Sequence, residues 1–584
     1  MKILLTTLNS KFIHSSLALR CLRSYCNDEF NISLAEYTIN QHSDDVVAEI
    51  YKEQPDIVGF SCYIWNIDQT LEIVKLLKKV RPELTIILGG PEVSYDPVNL
   101  LNDYSEIDYI IYGEGEITLK KLLEQLERNK KLENIKGLAY RLQGEAKKTE
   151  PRSVLINLDE IPSPYQTLDG LENKIVYYET MRGCPFNCQY CLSSTLSSVR
   201  FFSLDRVKND LLKLIEAEVR QVKFVDRTFN CKAEHCLEIF KFLLANRPKN
   251  CNINFHFEIT ADLLTDQIIE FLAEVPPGYF QFEIGVQSTN SETLNLIDRT
   301  MDFEQLSQVV TRLSEARNIH LHLDLIAGLP AEDYDTFKSS FNDVYQLASD
   351  RLQLGFLKLL KGSGLRKKAD QYGYAFTDKP PYEVLVSNDL SYNDLLKLKM
   401  VEEVLETFGN SHHFDYSIKF IENNFYDSPF EFYEDLAQFW EENKYYRYSH
   451  KLESLYQYLK DFYQQYCQEK IELFNELLKF DFLLRRRRIN LPDFLNKYEV
   501  KDYKNKFNDF VANETKIEKY LPQLSDCSKR QIKRQIQVET FKYDILKVIK
   551  NPSQEVEEDL IIILFNYHTR ERLFNKAIFK QIEL

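Results

Sequence analysis

The chain has 584 residues, 44% of them apolar, and a formal net charge of −16. That length allows about three or four domains. The acidic balance argues against a broad nucleic-acid surface, which needs clustered Lys and Arg, and no apolar run approaches the roughly 18 residues of a membrane span.

Met1–Leu5, followed by polar Thr6 and Thr7, reads as a first β-strand, because a signal peptide needs a longer apolar region and a small-residue cleavage site. Further short apolar runs follow at Asp56–Ser61, Thr85–Leu88 and Tyr109–Tyr112, separated by amphipathic stretches such as Leu71–Lys79. Strand and helix thus alternate as in a parallel sheet wrapped by helices, and a Rossmann-like domain is expected over residues 1–140. Residues 141–173 are charged around Gln143–Arg152 and carry Pro162 and Pro164, so they read as a linker.

A second α/β rhythm occupies residues 174–377. Its strand candidates are Lys174–Glu179, Gln221–Asp226, Asn254–Ile259, Gln281–Val286, His320–Ala327 and Leu352–Leu357, with helical stretches such as Leu204–Glu218 between them. Six such units predict a partial (β/α)6 barrel, short of the usual eight. Beyond residue 378 only one glycine remains, Gly409, and apolar residues recur at helical spacing, as in Leu452, Leu455, Leu459, Phe462 and Tyr466. An all-α domain is expected over 378–584, its aromatic stripes forming its own core. The run Arg485–Arg488 reads as a solvated helix end, with a small anion or RNA contact as the sharper alternative.

Eleven cysteines is an odd count without the spacing of a secreted disulfide framework, and clustered cysteines in a long cytoplasmic chain read as metal-binding or catalytic. Cys184, Cys188 and Cys191 follow the first barrel strand with C-x3-C-x2-C spacing. Three thiolates on one loop can each take one iron of a 4Fe-4S cluster and leave the fourth iron open to a ligand. A structural zinc site would need a fourth ligand, and no Cys or His partner stands at suitable spacing.

This motif, with Tyr190 before its last cysteine, resembles the signature of the radical S-adenosylmethionine (SAM) superfamily. The resemblance implies that SAM chelates the open iron and is cleaved to a 5′-deoxyadenosyl radical. Later segments look like the strand motifs of that family: Asp226, Arg227 and Asn230 after the second strand, Glu258 on the third, Glu283 and Gln287 on the fourth, and Gly328 after the fifth. They are the residues carried over as SAM contacts, with Tyr190. No catalytic residue is assigned.

The first domain has three loops at strand ends, where ligands of open sheets bind. They hold Ser61, Tyr63 and Trp65; Gly89, Gly90 and Pro91; and Gly113, Glu114, Gly115 and Glu116. Together with the barrel they resemble the cobalamin-binding radical SAM enzymes, in which such loops embrace the cofactor. The Asp-x-His-x-x-Gly signature of cobalt ligation is absent: Phe12 and Leu17 flank His14 where its Asp and Gly would stand. His14 is therefore carried over as a residue near cobalamin, and no cobalt ligand is expected. The last 200 or so residues resemble a helical domain of unknown function found in one branch of these proteins.

The resemblance implies a transferase that uses a 4Fe-4S cluster, SAM and cobalamin to methylate an unactivated carbon. A small-molecule or peptide substrate and a low-potential donor such as flavodoxin or ferredoxin would be its partners, with neither nucleic acid nor membrane. Cobalamin-dependent rearrangement or redox chemistry, and radical modification of RNA, remain the alternatives.

Overall fold

A computed structural model describes the chain except residues 27–28, 129–130, 196–197, 250–251, 488–490, 496–497, 499–501 and 584. Cys251 and Arg488 thus lie outside the described residues. The chain divides into two compact units, one of Met1–Leu321, Gly328–Asp333 and Gly355–Ser391, the other of His322–Ala327, Tyr334–Leu354 and Tyr392–Leu584.

The first unit begins with β1 (Lys2–Asn9), β2 (Asn31–Thr38), β3 (Ile57–Ser61), β4 (Thr85–Gly89), β5 (Tyr109–Ile111), β6 (Leu138–Leu142) and β7 (Glu145–Lys148). They form one sheet in the order β2-β1-β3-β4-β5-β6-β7, parallel through β5 and antiparallel after it. The apolar runs of β1 and β3 exist because both faces of the sheet are covered. Leu4, Val58, Ile86 and Ile110 share one core with the helices Ser43–Glu53 and Ile67–Val80. Ile3, Leu5, Ile57 and Ile87 share the other with Leu17–Cys26 and Glu116–Arg128. Each fully buried side chain of this kind contributes roughly 1.5–3 kcal/mol. The strand order reverses between β1 and β3, and an open sheet of this order receives its ligand at the carboxyl ends beside that reversal. The stretch expected as linker instead supplies β7, joined to β6 by a tight turn with positive φ at Gln143 and Gly144.

Next come β8 (Ile175–Tyr178), the two-residue strands β9 (Met181–Arg182) and β10 (Arg200–Phe201), then β11 (Gln221–Phe224), β12 (Asn254–Ile259) and β13 (Phe280–Gln287). Strands β8, β11, β12 and β13 are parallel neighbours in that order. Burial alternates strictly along β13, with Phe280, Phe282, Ile284 and Val286 inside a core that also holds Phe224, Phe240 and Phe257. The alternation of strand and helix continues through β14 (His320–Ala327) and β15 (Arg351–Phe356), so six strands follow one another as the sequence predicts. A small antiparallel pair, β16 (Ala375–Phe376) and β17 (Val384–Val386), closes the first unit's chain.

The second unit is helical as expected through Tyr392–Val404, Asp415–Phe425, Pro429–Glu442, Leu452–Tyr466 and Ile471–Arg485. Gly409 is needed there by close packing, since a Cβ would stand 2.4 Å from the Tyr433 hydroxyl. The region is not all-α, however. β18 (Ile536–Tyr543), β19 (Glu558–Arg570) and β20 (Ala577–Gln581) form an antiparallel sheet. Its central strand carries the β-branched run Ile561–Ile563, which favours a pleated half-buried surface over a helix. The arginine run does end the helix Ile471–Arg485, and Arg486 is exposed, but two of its members are committed to the fold. Arg485 donates to the carbonyls of Ser411 and His412, and Arg487 to those of Ile536 and Lys533. No helix of the described residues is long and apolar enough to cross a membrane.

Candidate cofactor site

β9 and β10 pair antiparallel, with Met181 opposite Phe201 and Arg182 opposite Arg200, and so make the stem of the loop that carries the three cysteines. Within that loop the Cys184 thiol lies 3.5 Å from the Thr228 hydroxyl. Arg299 Nη1 lies 3.7 Å from Cys188 Sγ and 3.2 Å from the Tyr190 hydroxyl. Cys191 Sγ accepts from the Ser193 amide at 3.4 Å. Among the described residues no three Cys, His, Asp or Glu side chains converge on one point as a mononuclear metal would require. Three thiols on one loop can each meet a different iron of a polynuclear cluster.

Asp226 is buried at the end of β11. Its Oδ1 accepts from the amides of Thr180 and Met181 at 2.8 and 2.6 Å and from the Thr180 hydroxyl at 3.1 Å, while Oδ2 has no partner. Burial outweighs these bonds and pushes its carboxyl up to about 8. Asn230 is committed as well, with Nδ2 donating to the Thr260 carbonyl at 2.7 Å and Oδ1 accepting from the Thr260 amide at 3.0 Å. Of these two residues, both expected at SAM, Asp226 holds the backbone that enters the cluster loop and Asn230 the backbone just after β12.

Other residues of that set keep capacity for a ligand. Arg227 approaches Glu258 at 3.6 Å with 58% of its side chain exposed. Glu283 accepts from Lys223 at 3.0 Å and from His256 at 2.9 Å. Burial would push the Glu283 carboxyl up, but His256 and Lys223 together hold it down to about 2. Gln287 adopts φ 76° and folds its amide over Gly285. Gly328 has φ 96°, and its carbonyl accepts from the Tyr374 hydroxyl at 2.9 Å. Thr228, Lys223, His256 and Arg299 were not singled out from sequence; they are single residues with no spacing signal.

At the carboxyl edge of the first sheet, Thr7 donates to the Ser61 carbonyl at 2.9 Å, and Asn66 donates to the same oxygen at 3.1 Å. This ties β1 to β3 at the point where the strand order reverses. Tyr63 and Trp65 stack at 4.4 Å, and Trp65 remains 46% exposed. Phe12, Ile13 and Tyr95, on loops of the same edge, are also exposed. Several large apolar groups left in water at one edge mark a surface that another body covers. Gly113 has open space about its Cα, whereas Gly89 is in ordinary contact with Ile111. Gly90 is required by the chain itself: at φ 106°, a Cβ there would stand 2.5 Å from the Cys62 carbonyl oxygen. Bulk at Gly90 would therefore strain the fold before meeting any ligand. Pro91 opens the short helix Pro91–Ser94, whose Glu92 is buried and bonded to Lys361 at 2.9 Å and to the Tyr382 hydroxyl.

Two of the expected cobalamin contacts are engaged elsewhere. Glu114 Oε1 lies 2.6 Å from Arg200 Nη2, and Glu116 Oε1 lies 2.6 Å from Arg182 Nη2. Gly115, between them, packs on Leu22. Burial would raise the Glu114 carboxyl, but Arg200, Arg182 and the Leu155 amide more than offset it, and it titrates below its ordinary value. His14 is half-buried, and its Nδ1 is 2.7 Å from the Tyr177 hydroxyl. Burial and then Lys11 depress its pKa below the ordinary imidazole value, which favours the neutral ring.

Three family models match the chain: a B12-binding domain over residues 3–123, the radical SAM superfamily over 178–344, and DUF4080, a protein of unknown function, over 370–565. The chain thus carries a B12-binding domain followed by a radical SAM domain. An uncharacterized methyltransferase of Pyrococcus horikoshii is 26% identical over 349 residues, 58% of this chain and 74% of that one. The cobalamin-dependent radical SAM methyltransferase TokK of Streptomyces tokunonensis is 27% identical over 356 residues, 56% of this chain and 51% of TokK, so the match spans about half of that relative. The fold is that of the cobalamin-dependent SAM radical enzyme OxsB, with TM-score 0.59 and 17% identity over 90% of this chain and 84% of that one.

The cofactors of these two domains are cobalamin, and SAM with a 4Fe-4S cluster. The chain's own residues fit them: three thiols on one loop for the cluster, and an exposed aromatic edge beside the β1/β3 reversal for cobalamin.

Proposed function

We propose that this enzyme is a cobalamin-dependent radical SAM methyltransferase that methylates an unactivated carbon of a small molecule or peptide. The observation that carries this reading is the direct bonding of the cluster-loop stem, through Arg182 and Arg200, to Glu116 and Glu114 at the edge of the first sheet. Radical formation and methyl delivery must act on one carbon, so the two cofactor-bearing loops must be neighbours.

In this reading Cys184, Cys188 and Cys191 hold the cluster, and Asp226 fixes the loop's entry through Thr180 and Met181. Arg227 and Glu258 are the groups for the carboxylate and amino ends of SAM, with Gly328 offering bare backbone to its adenine. Tyr63 and Trp65 would offer an aromatic surface to cobalamin, and His14, bonded to Tyr177, would not serve as a metal ligand. When bound, the reduced cluster supplies the electron that cleaves SAM, and cobalamin supplies the methyl group. The electron donor is a flavodoxin or ferredoxin, and the setting is the cytoplasm.

Anaerobic reconstitution with iron, sulfide and cobalamin, followed by mass spectrometry of SAM products, tests the proposal. Methylation yields 5′-deoxyadenosine together with S-adenosylhomocysteine, whereas 5′-deoxyadenosine alone would favour rearrangement. Cys184→Ala, Cys188→Ala and Cys191→Ala should each abolish SAM cleavage; full activity in any of them would remove the foundation of this reading.

A further inference from the structure

The stem of the cluster loop is short and electrostatically unfavourable by itself. Each strand contributes two residues, and one of the two cross-strand pairs sets Arg182 opposite Arg200. Like charges directly opposite one another weaken an antiparallel pair, and a two-stranded ribbon alone is marginal in water. All three cysteines lie within the loop that this stem closes.

Three carboxylates surround the two guanidinium groups. Glu179, local to the stem, takes Arg182 Nε at 3.1 Å and Nη2 at 2.8 Å. The other two come from the β5 edge of the first sheet. Glu116 takes Arg182 Nη2 at 2.6 Å. Glu114 takes Arg200 Nη2 at 2.6 Å and Nη1 at 3.2 Å, and its Oε1 is also 3.8 Å from Arg182 Nη1, so it faces both arginines at once. Arg200 also donates to the Leu155 carbonyl at 2.7 Å. The side-chain exposures of Arg182, Arg200, Glu114 and Glu116 are 14, 5, 18 and 8%. In such a setting, removing one partner leaves a buried charge uncompensated.

We infer that Glu114 and Glu116 are positioning residues for the iron–sulfur loop: by neutralising Arg182 and Arg200 they hold its stem closed, so that cluster retention depends on the cobalamin-side domain. The inference rests on the reading of Cys184, Cys188 and Cys191 as cluster ligands. It also separates these two glutamates from the cobalamin-contacting role that their motif suggested.

The test uses the reconstituted full chain with cluster and cobalamin bound. Iron loss to a chelator is followed anaerobically, and cobalamin retention is read from its own spectrum. Glu114→Gln and Glu116→Gln should lose iron at least roughly tenfold faster than the unmodified protein, the scale of one disrupted buried ionic contact, while keeping their cobalamin. Iron loss at the unmodified rate would overturn the inference, as would loss of cobalamin with the cluster intact, which would return the glutamates to the cofactor. Where a single variant yields no folded protein, the charge swap decides. Glu114→Arg with Arg200→Glu should recover the iron retention that Glu114→Arg alone lacks, and failure to recover it counts against the inference. An unmodified protein that binds no iron would instead defeat the reading of the cysteines.

Discussion

The carboxylates at Arg182 and Arg200 form a closed set, whereas Glu258 on the barrel, facing Arg227, belongs to an open one. In the closed set, contacts of 2.6–3.2 Å leave each side chain under one-fifth exposed. In the open set Arg227 keeps 58% of its side-chain surface, and its distance to Glu258 is 3.6 Å. A closed set has used its charges on the protein; an open one retains direction and charge for a ligand. Burial and bond length, rather than residue type, therefore separate architecture from candidate recognition.

The largest expected effect is on the closed side. Arg182→Ala leaves Glu116 and Glu179 facing each other without a cation and should remove about 3–5 kcal/mol, read by denaturant unfolding. A loss below about 1 kcal/mol would break the comparison. Asp226→Ala comes next, at about 1–3 kcal/mol, because it orphans buried backbone donors of Thr180 and Met181. The same residue gives a pH signature. Its folded pKa of about 8 lies above the ordinary carboxyl value near 3.9. The contribution of its protonated form is therefore fully present below about pH 4 and is lost as pH rises through 8. Asp226→Asn should flatten the decline in stability between those limits, and an unchanged pH profile would reject the shift.

Beyond the closed set the effects shrink, first at Glu283, which is paired to Lys223 and His256, and then at the open Arg227. Glu283→Gln should lower stability by about 1 kcal/mol at pH 7. Because the Glu283 pKa is depressed to about 2, that contribution is present above about pH 4.3 and disappears as pH falls toward 2. Arg227→Gln should change stability by under about 0.5 kcal/mol while weakening SAM binding, measured by calorimetry. If it destabilises the protein as much as Arg182→Ala does, the open set is architectural too.

Much of this layout is legible in the chain. β1, β3 and β4 are readable because parallel strands buried on both faces are continuous apolar runs, and β14 coincides with the predicted His320–Ala327. The cysteines are readable because their spacing is local. The hairpin of β6 and β7 is not, since an exposed edge strand such as Glu145–Lys148 carries three charged residues and only Ala146 as an apolar one. The sheet of β18, β19 and β20 is hidden by an aromatic-rich composition that serves helix and strand cores equally. The Glu114–Arg200 bond escapes any motif, because the partners are 86 residues apart and only the folded chain brings them together. Glu114 was visible as part of a motif, but its partner was not.

The stack of Trp65 on Tyr63 also gives the molecule a built-in optical reporter. The chain has two tryptophans. Trp65 stands half in solvent at the edge read as the corrin surface, and Trp440 is buried in the second unit with its indole N–H on Glu403 at 2.8 Å. Their fluorescence should therefore resolve into a red-shifted band from Trp65 and a blue-shifted band from Trp440. A coloured cofactor arriving at the first sheet would quench the red component, and Trp65→Phe would lack that component altogether.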